Sequence, residues 1–338
     1  MSAPATMRAI RVERTGGPEA LQQVALPVPE PGPGELRIQV AFAAANWSDI
    51  QKRQGIYPDP VGYPAILGAE VSGIVSAVGP GVRGLSIGQH VAALCGPLLL
   101  GGYADEVVVP ASYVLQLPGD LPLDQAAALP LASLTAFHLL HTAYRIRAGQ
   151  VVLVHAIAGS VGLAVTQVAV MAGARVIGTV GRAGKSEQPR HMGAELVINR
   201  RSEDFVERAL AFTGGRGVDL AIDSLGGEIL PRSFDALRYH GHLINIGEAS
   251  GEPDFPVRKK LYERSTAMAG FEVLHAAPGS RTWRRGVRFV EDAVARGRLR
   301  MPVGAVFPFG DVAAMHAALE GRGTSGKLLL AVAGTSPA

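Results

Sequence analysis

Residues 151–162, VVLVHAIAGSVG, constrain the fold of this chain more than any other stretch. Four apolar β-formers, Val151 to Val154, break into a loop holding Ala156, Gly159 and Gly162, and a helix-forming run LAVTQVAVMAGA follows. A strand, a glycine turn and a helix N-terminus in that order leave backbone N–H groups unpaired at the positive end of a helix dipole, facing an anion. Gly159 lets the backbone approach a pyrophosphate, and Gly162 lets the helix pack closely on the strand. The pattern A-x-x-G-x-x-G departs from the commoner G-x-G-x-x-G, and an ordinary strand-to-helix turn could share it. The segments that follow favour a dinucleotide site.

A second strand, ARVIGTV (Ala174 to Val180), comes directly after the helix. An NAD site usually carries Asp or Glu about 20 residues past the glycines, to bind the ribose hydroxyls. No acid stands between Ala174 and Lys185; Thr179, Gly181, Arg182 and Lys185 are there instead, and the next strand, ELVIN, runs into Arg200 and Arg201. Cations and small donors at the ends of two neighbouring strands suit a 2′-phosphate. The alternative is a solvated arginine surface. We read the pattern as NADPH rather than NADH, with Thr179, Arg182, Lys185 and Arg200 as candidate contacts.

At 338 residues the chain exceeds the usual single-domain size. Residues 7–120 are loop-rich, with short strand-like runs such as LRIQVAFAA and AEVSGIVSAVG between Gly and Pro clusters, which suggests a small barrel-like β domain. After Pro118 helices and buried apolar strands alternate, and that order requires a parallel sheet covered on both faces, the doubly wound α/β architecture. Beyond it, SRTWRRGVRFVEDAVARG has a helical period, Asp311 can cap VAAMHAALEG, and GKLLLAV reads as a final strand returning to the first domain.

Composition excludes other classes. Hydrophobic residues make up 48% and charged residues 18%, with a net charge of +3 and no basic stripe, so nucleic acid is not expected as a partner. No run of about 18 uncharged apolar residues offers a membrane span, and no apolar core of signal-peptide length opens the chain. Cys95 is the only cysteine, which suits a reducing, cytoplasmic setting and rules out a Cys₄ zinc site. The histidines form no H-x-x-H or H-x-E pattern; His138 and His141, three apart on one helix face, read as structural.

Several motifs occur together: N46-W-S-D49, R53-Q-G-I-Y-P58, L67-G-A-E70 with G73-I-V-S-A-V-G79, L134-T-A136, the glycine loop, D223-S-L-G-G227, I246-G247 and G326-K-L-L329. In this order and spacing, from about Met7 to Val332, the chain resembles the medium-chain dehydrogenase/reductase superfamily. Within it the resemblance is to the zinc-free, NADPH-dependent quinone oxidoreductase group that includes the ζ-crystallins. The resemblance implies a GroES-like β-rich catalytic domain over 1–127, completed by 275–338, and a Rossmann NADPH-binding domain over 128–274.

Zinc enzymes of that superfamily place Cys near Asn46 and His after Gly68; this chain has Asn46 or Ala45, and Ala69, so no metal is expected. The resemblance implies Asn46 near the nicotinamide and substrate and Thr135 under the cofactor. It puts Ala158, Gly159, Ser160, Val161 and Gly162 on the pyrophosphate, and Lys185 and Arg200 on the 2′-phosphate. Gly247 would lie beside the nicotinamide, with Arg322 and Lys327 closing the cofactor cleft. Gln51 occupies a position that is tyrosine in some relatives, so Tyr57 becomes the candidate phenol, or else simply packs its loop beside Pro58. Asn46 and Tyr57 are expected to orient the acceptor carbonyl, the final proton coming from Tyr57 or water.

The implied activity is reduction of quinones or activated α,β-unsaturated carbonyls by hydride transfer. The alternatives are an enoyl reductase acting on thioesters and a low-turnover NADPH- or RNA-binding relative. A homodimer is expected through an apolar edge strand around Ser265 to Phe271.

Overall fold

The chain is described over residues 5–333 by a computed structural model, and it divides into two units, 1–131 with 291–338 and 132–290. In the first unit, strand Glu35–Ala44 buries Leu36, Ile38 and Val40 and turns Arg37 and Gln39 outward, the two-residue alternation of a half-covered sheet. It is the centre of a seven-stranded sheet in the order Val303–Pro308, Lys327–Ala331, Glu35–Ala44, Glu70–Val78, His90–Leu94, Val114–Leu115, with Glu106–Pro110 also pairing Glu35–Ala44. The C-terminal strand Lys327–Ala331 returns, antiparallel, to Glu35–Ala44, with Leu330 opposite Ala43. A second sheet joins Leu21–Pro27, Thr6–Val12 and Ala65–Ile66. Val71, Val75, Val91, Tyr103, Leu328 and Leu330 fill the core of this unit.

The second unit is a six-stranded parallel sheet in the order Leu196–Asn199, Arg175–Val180, Val151–Val154, Val218–Asp223, Leu237–Asn245, Ala267–Gly270. Its central strand Val151–Val154 is buried at every residue, as a strand covered by helices on both faces must be. The chain goes outward to one edge, then crosses back to the other side of Val151–Val154. Strand order therefore reverses between Val151–Val154 and Val218–Asp223, and the carboxyl ends of those two strands form the crevice where doubly wound sheets take ligands.

The helix Arg281–Ala295 contains the second division. Trp283 stacks on His138 at 5.6 Å and Phe289 packs on Phe137 at 5.0 Å, and these contacts keep residues 281–290 with the second unit. The division thus falls at 290/291 where the sequence suggested 275. Asp311 precedes helix Val312–Glu320 without a side-chain cap bond, so the expected cap is not formed. Among the described residues no helix is long and apolar enough to cross a membrane.

Candidate active site

The glycine loop leaves the sheet at His155 and turns through Ala156 at φ +50 into helix Ser160–Met171, with Gly159 as its N-cap. No side chain caps that end and no acid occupies its first turn. Ala158 is buried, Gly159 exposed, Ser160 and Val161 half-exposed, so the loop presents a short arc of backbone at a helix N-terminus. A Cβ on Gly162 would lie 2.6 Å from the Ile157 Cα and carbonyl oxygen. Real side chains never approach that closely, so glycine is required for the helix to seat on the loop. This cradle fits a pyrophosphate.

Three cations converge at the end of the next strand. The Arg200 guanidinium lies against Gly181, close enough that a Cβ there would meet its nitrogens at 3.1 and 3.2 Å. Lys185 is pulled below the usual ammonium range by partial burial, then by the positive charges of Arg182 and Arg200. Like charges are costly to gather, and a phosphate dianion would offset that cost. The donor set therefore fits a 2′-phosphate and would repel nothing on it.

Thr179 has another task. It is fully buried, and its hydroxyl lies 2.9 Å from Nδ1 of His155, whose Nε2 lies 2.9 Å from the Ser233 hydroxyl. Ser233 donates to the Ile229 carbonyl, so it accepts from Nε2–H, and Nδ1 accepts from Thr179. Thr179 is corrected from a cofactor contact to a buried brace beneath the loop: its side chain points down into the sheet, and its carbonyl holds the Ile157 amide. His155, which sequence reasoning passed over, is held neutral with its pKa near 3 by burial and by Arg200. The visible signal was a polar residue directly after four buried apolar ones. Thr135 lies nearly buried on helix Pro130–His138, and Gly247 offers its carbonyl to Asn245 at 2.9 Å.

In the first unit, Asn46 caps helix Trp47–Gln54 and meets two distant residues. Lys327, 1% exposed, donates to Asn46 Oδ1 and to Glu70 Oε1, the latter at 2.6 Å. An ammonium only donates, so the amide oxygen faces it and Nδ2 faces away. Both Nδ2 hydrogens are then spent, on the Ala44 carbonyl at 3.1 Å and on Glu70 Oε1 at 3.0 Å. Glu70 Oε2 accepts the Leu131 amide at 2.7 Å. Two expectations are corrected here. Asn46 has no hydrogen left to orient an acceptor carbonyl, and Lys327 is buried beneath Asn46 instead of closing over a cofactor.

Asp49, also buried, accepts the Asn46 amide at 2.9 Å and the Gly68 amide at 3.2 Å. Burial raises its carboxyl to about 6, against the opposing pull of Lys52 and of those two N–H groups. Burial, then Asp49 and Glu70, push the Cys95 thiol well above its usual range, so the only cysteine stays a protonated, unreactive thiol. Among the described residues no three His, Cys, Asp or Glu side chains are placed to hold a metal ion together.

Tyr57 follows the far end of the helix that Asn46 begins, and its ring lies 4.7 Å from the Lys52 ammonium. Arg322, exposed and at φ +51, lies over Trp47 at 5.3 Å. The structure thus joins Asn46 with Lys327, the residues Ala158 to Gly162 with one another, and Arg182 with Lys185 and Arg200. Glu70, Asp49 and His155 are polar residues of these sites whose roles the sequence pattern does not reveal.

Residues 32–119 match the family described as alcohol dehydrogenase GroES-like domain, and residues 160–292 that described as zinc-binding dehydrogenase. The 2-haloacrylate reductase of a Burkholderia species is 36% identical over 326 residues, covering 94% of this chain and 97% of that protein. The Escherichia coli quinone oxidoreductase complexed with NADPH superposes with a TM-score of 0.89 at 33% identity, covering 97% of this chain and all of that one. A mycobacterial protein complexed with NADPH gives a TM-score of 0.90 at 34% identity, covering 96% of this chain and all of that one.

Proposed function

The chain belongs to the medium-chain dehydrogenase/reductase superfamily, in its zinc-free quinone oxidoreductase group, and from that membership we propose an NADPH-dependent reductase of quinones or activated α,β-unsaturated carbonyl compounds. The observation that carries the reading is the gathering of Arg182, Lys185 and Arg200 around Gly181, at the end of a strand that lacks the ribose-binding acid. Those side chains would hold the 2′-phosphate, Gly159 to Gly162 the pyrophosphate, and Thr135 and Gly247 the nicotinamide end. What bound NADPH contributes is a hydride.

The remaining work falls to the protein, which must orient the acceptor and exclude water. Lys327, bonded to Asn46 and Glu70, places a fixed ammonium beside Asn46, at one position where zinc relatives keep a ligand, and beside Glu70, the residue after Ala69 at the other. That set has no thiolate or imidazole, so nothing there could lower an alcohol's pKa as a metal would. Quinones and electron-poor alkenes do not need it, since they accept hydride once held at about 3 to 3.5 Å. Tyr57 is the side chain we propose to meet the acceptor carbonyl, and its hydroxyl could deliver the proton in enone reduction.

We also propose a homodimer formed through the sheet edge Ala267–Gly270, whose outer side is unpaired among the described residues, and a cytoplasmic setting. Light scattering at micromolar concentration should give twice the mass of one chain.

The test of the function is steady-state oxidation of NADPH with 1,4-benzoquinone, a 2-enone and a crotonyl thioester, beside ethanol with NADP⁺. Turnover is expected with the quinone or the enone and not with ethanol. Ethanol oxidation without quinone or enone reduction would overturn the reading, and turnover of the thioester alone would make it an enoyl-thioester reductase.

A further inference from the structure

Lys52 is 1% exposed, and a buried ammonium must have partners. It donates to the Leu98 carbonyl at 2.6 Å and the Leu99 carbonyl at 2.9 Å, and it lies 4.7 Å from the centre of the Tyr57 ring. The Lys52 carbonyl in turn accepts the Tyr63 hydroxyl. One lysine on the helix that Asn46 begins therefore ties down two loops, the 55–63 loop and the 96–100 turn.

The turn is unusual in what it exposes. Leu99 sits in the left-handed region at φ +52, which a leucine rarely adopts, and is 3% exposed, while its neighbour Leu98 is 60% exposed. Ile56, the residue before Tyr57, is 63% exposed. Single exposed aliphatics are ordinary. Here Ile56 directly precedes the half-exposed Tyr57, and the Tyr57 ring and the Leu98 carbonyl meet the same buried ammonium, so the two aliphatics sit on segments anchored at one point, an apolar lip.

The lip needs an occupant, and the half-exposed ring of Tyr57 indicates one. Resting on the reductase reading above, in which Tyr57 meets the acceptor carbonyl, we propose that Ile56 and Leu98 determine acceptor specificity. Together with Tyr57 they receive the apolar substituent of the acceptor, so the preferred substrates are quinones carrying an alkyl or fused-ring substituent rather than small polar enones. The occupant is a substrate's own hydrocarbon, because the lip continues from the residue assigned to the reacting carbonyl. The Lys52 ammonium is buried against the Leu98 and Leu99 carbonyls and the Tyr57 ring, so it is not part of the exposed lip.

The test uses the full chain and the double variant Ile56→Ser/Leu98→Ser. Both positions are exposed, so the variant should melt within about 1 °C of the wild type. Of the two tryptophans, Trp283 is fully buried in the other unit, so quenching of the half-buried Trp47 reports quinone binding without any turnover. Two probes are titrated, 1,4-benzoquinone and a decyl-substituted benzoquinone, and kcat/KM is measured for each. The wild type should bind the decyl compound more tightly. The double variant should weaken decyl-quinone binding about tenfold and leave benzoquinone within about twofold. Equal affinity of the wild type for the two probes, or a parallel change of both in the variant, would overturn the assignment of the lip while leaving the reductase reading intact. A wild type that neither binds nor reduces either quinone would remove the reductase reading, and this inference with it.

Discussion

Replacing Lys327 by Met tests the buried centre of the first unit most directly. The ammonium and the Glu70 carboxylate are 2.6 Å apart, with side chains 2% and 0% exposed. At an effective dielectric of about 20, two unit charges at that distance attract by about 6 kcal/mol, before the cost of removing both from water is charged against them. Met fills similar volume but leaves the carboxylate buried with only the Asn46 and Leu131 N–H groups. Breaking a buried pair from one side costs about 3 to 5 kcal/mol. In a unit of this size each kcal/mol lowers Tm by about 2–4 °C, so a fall of about 6–20 °C is expected. Glu70→Gln should be similarly damaging, because it strands the ammonium. The double variant has no stranded charge, so its loss should be smaller than the sum of the two single losses by about 2 kcal/mol or more. The assay is thermal and urea unfolding of the four proteins followed by near-ultraviolet circular dichroism. A Lys327→Met variant within about 2 °C of wild type, or strictly additive losses, would refute the claim that this pair is a coupled, desolvated unit.

Gly162→Ala should weaken NADPH binding at least tenfold or cost about 1–3 kcal/mol of stability, because its methyl would meet the Ile157 backbone at 2.6 Å; titration of cofactor fluorescence checks it. Lys185→Ala and Arg200→Ala should each raise KM for NADPH about tenfold and leave KM for NADH nearly unchanged, since each removes a charge-assisted bond to the phosphate alone. Equal effects on both cofactors would count against the 2′-phosphate site. His155 and His316, held near 3, and His138, held near 4, are each kept neutral chiefly by burial. Their folded pKa values lie below the unfolded value of about 6.5, so the unfolded chain binds more protons there. The stability they contribute is complete above pH 6.5 and lost as pH falls through that window toward 3. Asp49, raised to about 6, works in the opposite direction, its contribution being lost as pH rises. Three groups outweigh one, so urea midpoints should fall between pH 7 and 5, and His155→Gln should show a smaller fall than the wild type.

The second unit was legible because its signals are local. Apolar runs, the glycine turn, the missing acid and the basic residues after two strands lie within about 50 residues of one another, and each follows from backbone geometry or charge. The return of Lys327–Ala331 to the first sheet was readable for the same reason, as a strand pattern following a helix. Orientation was not readable. Thr179 stands one residue from the end of a strand, and a period of two decides whether its hydroxyl faces a ligand or the sheet; the chain turned it inward, onto His155. Asn46 and Lys327 were each singled out, yet 281 residues separate them, and only folding shows that one uses up the other's oxygen while the Ala44 carbonyl and Glu70 take its hydrogens. The sequence by itself therefore determined the two folds, the phosphate cradle and the sign of the charge at its ribose end, since propensity and periodicity act over a few residues. Tertiary structure alone decided which polar groups stay free for a substrate, because a hydrogen bond saturates, and its partner is set by whichever strand and helix ends the topology brings within 3 Å.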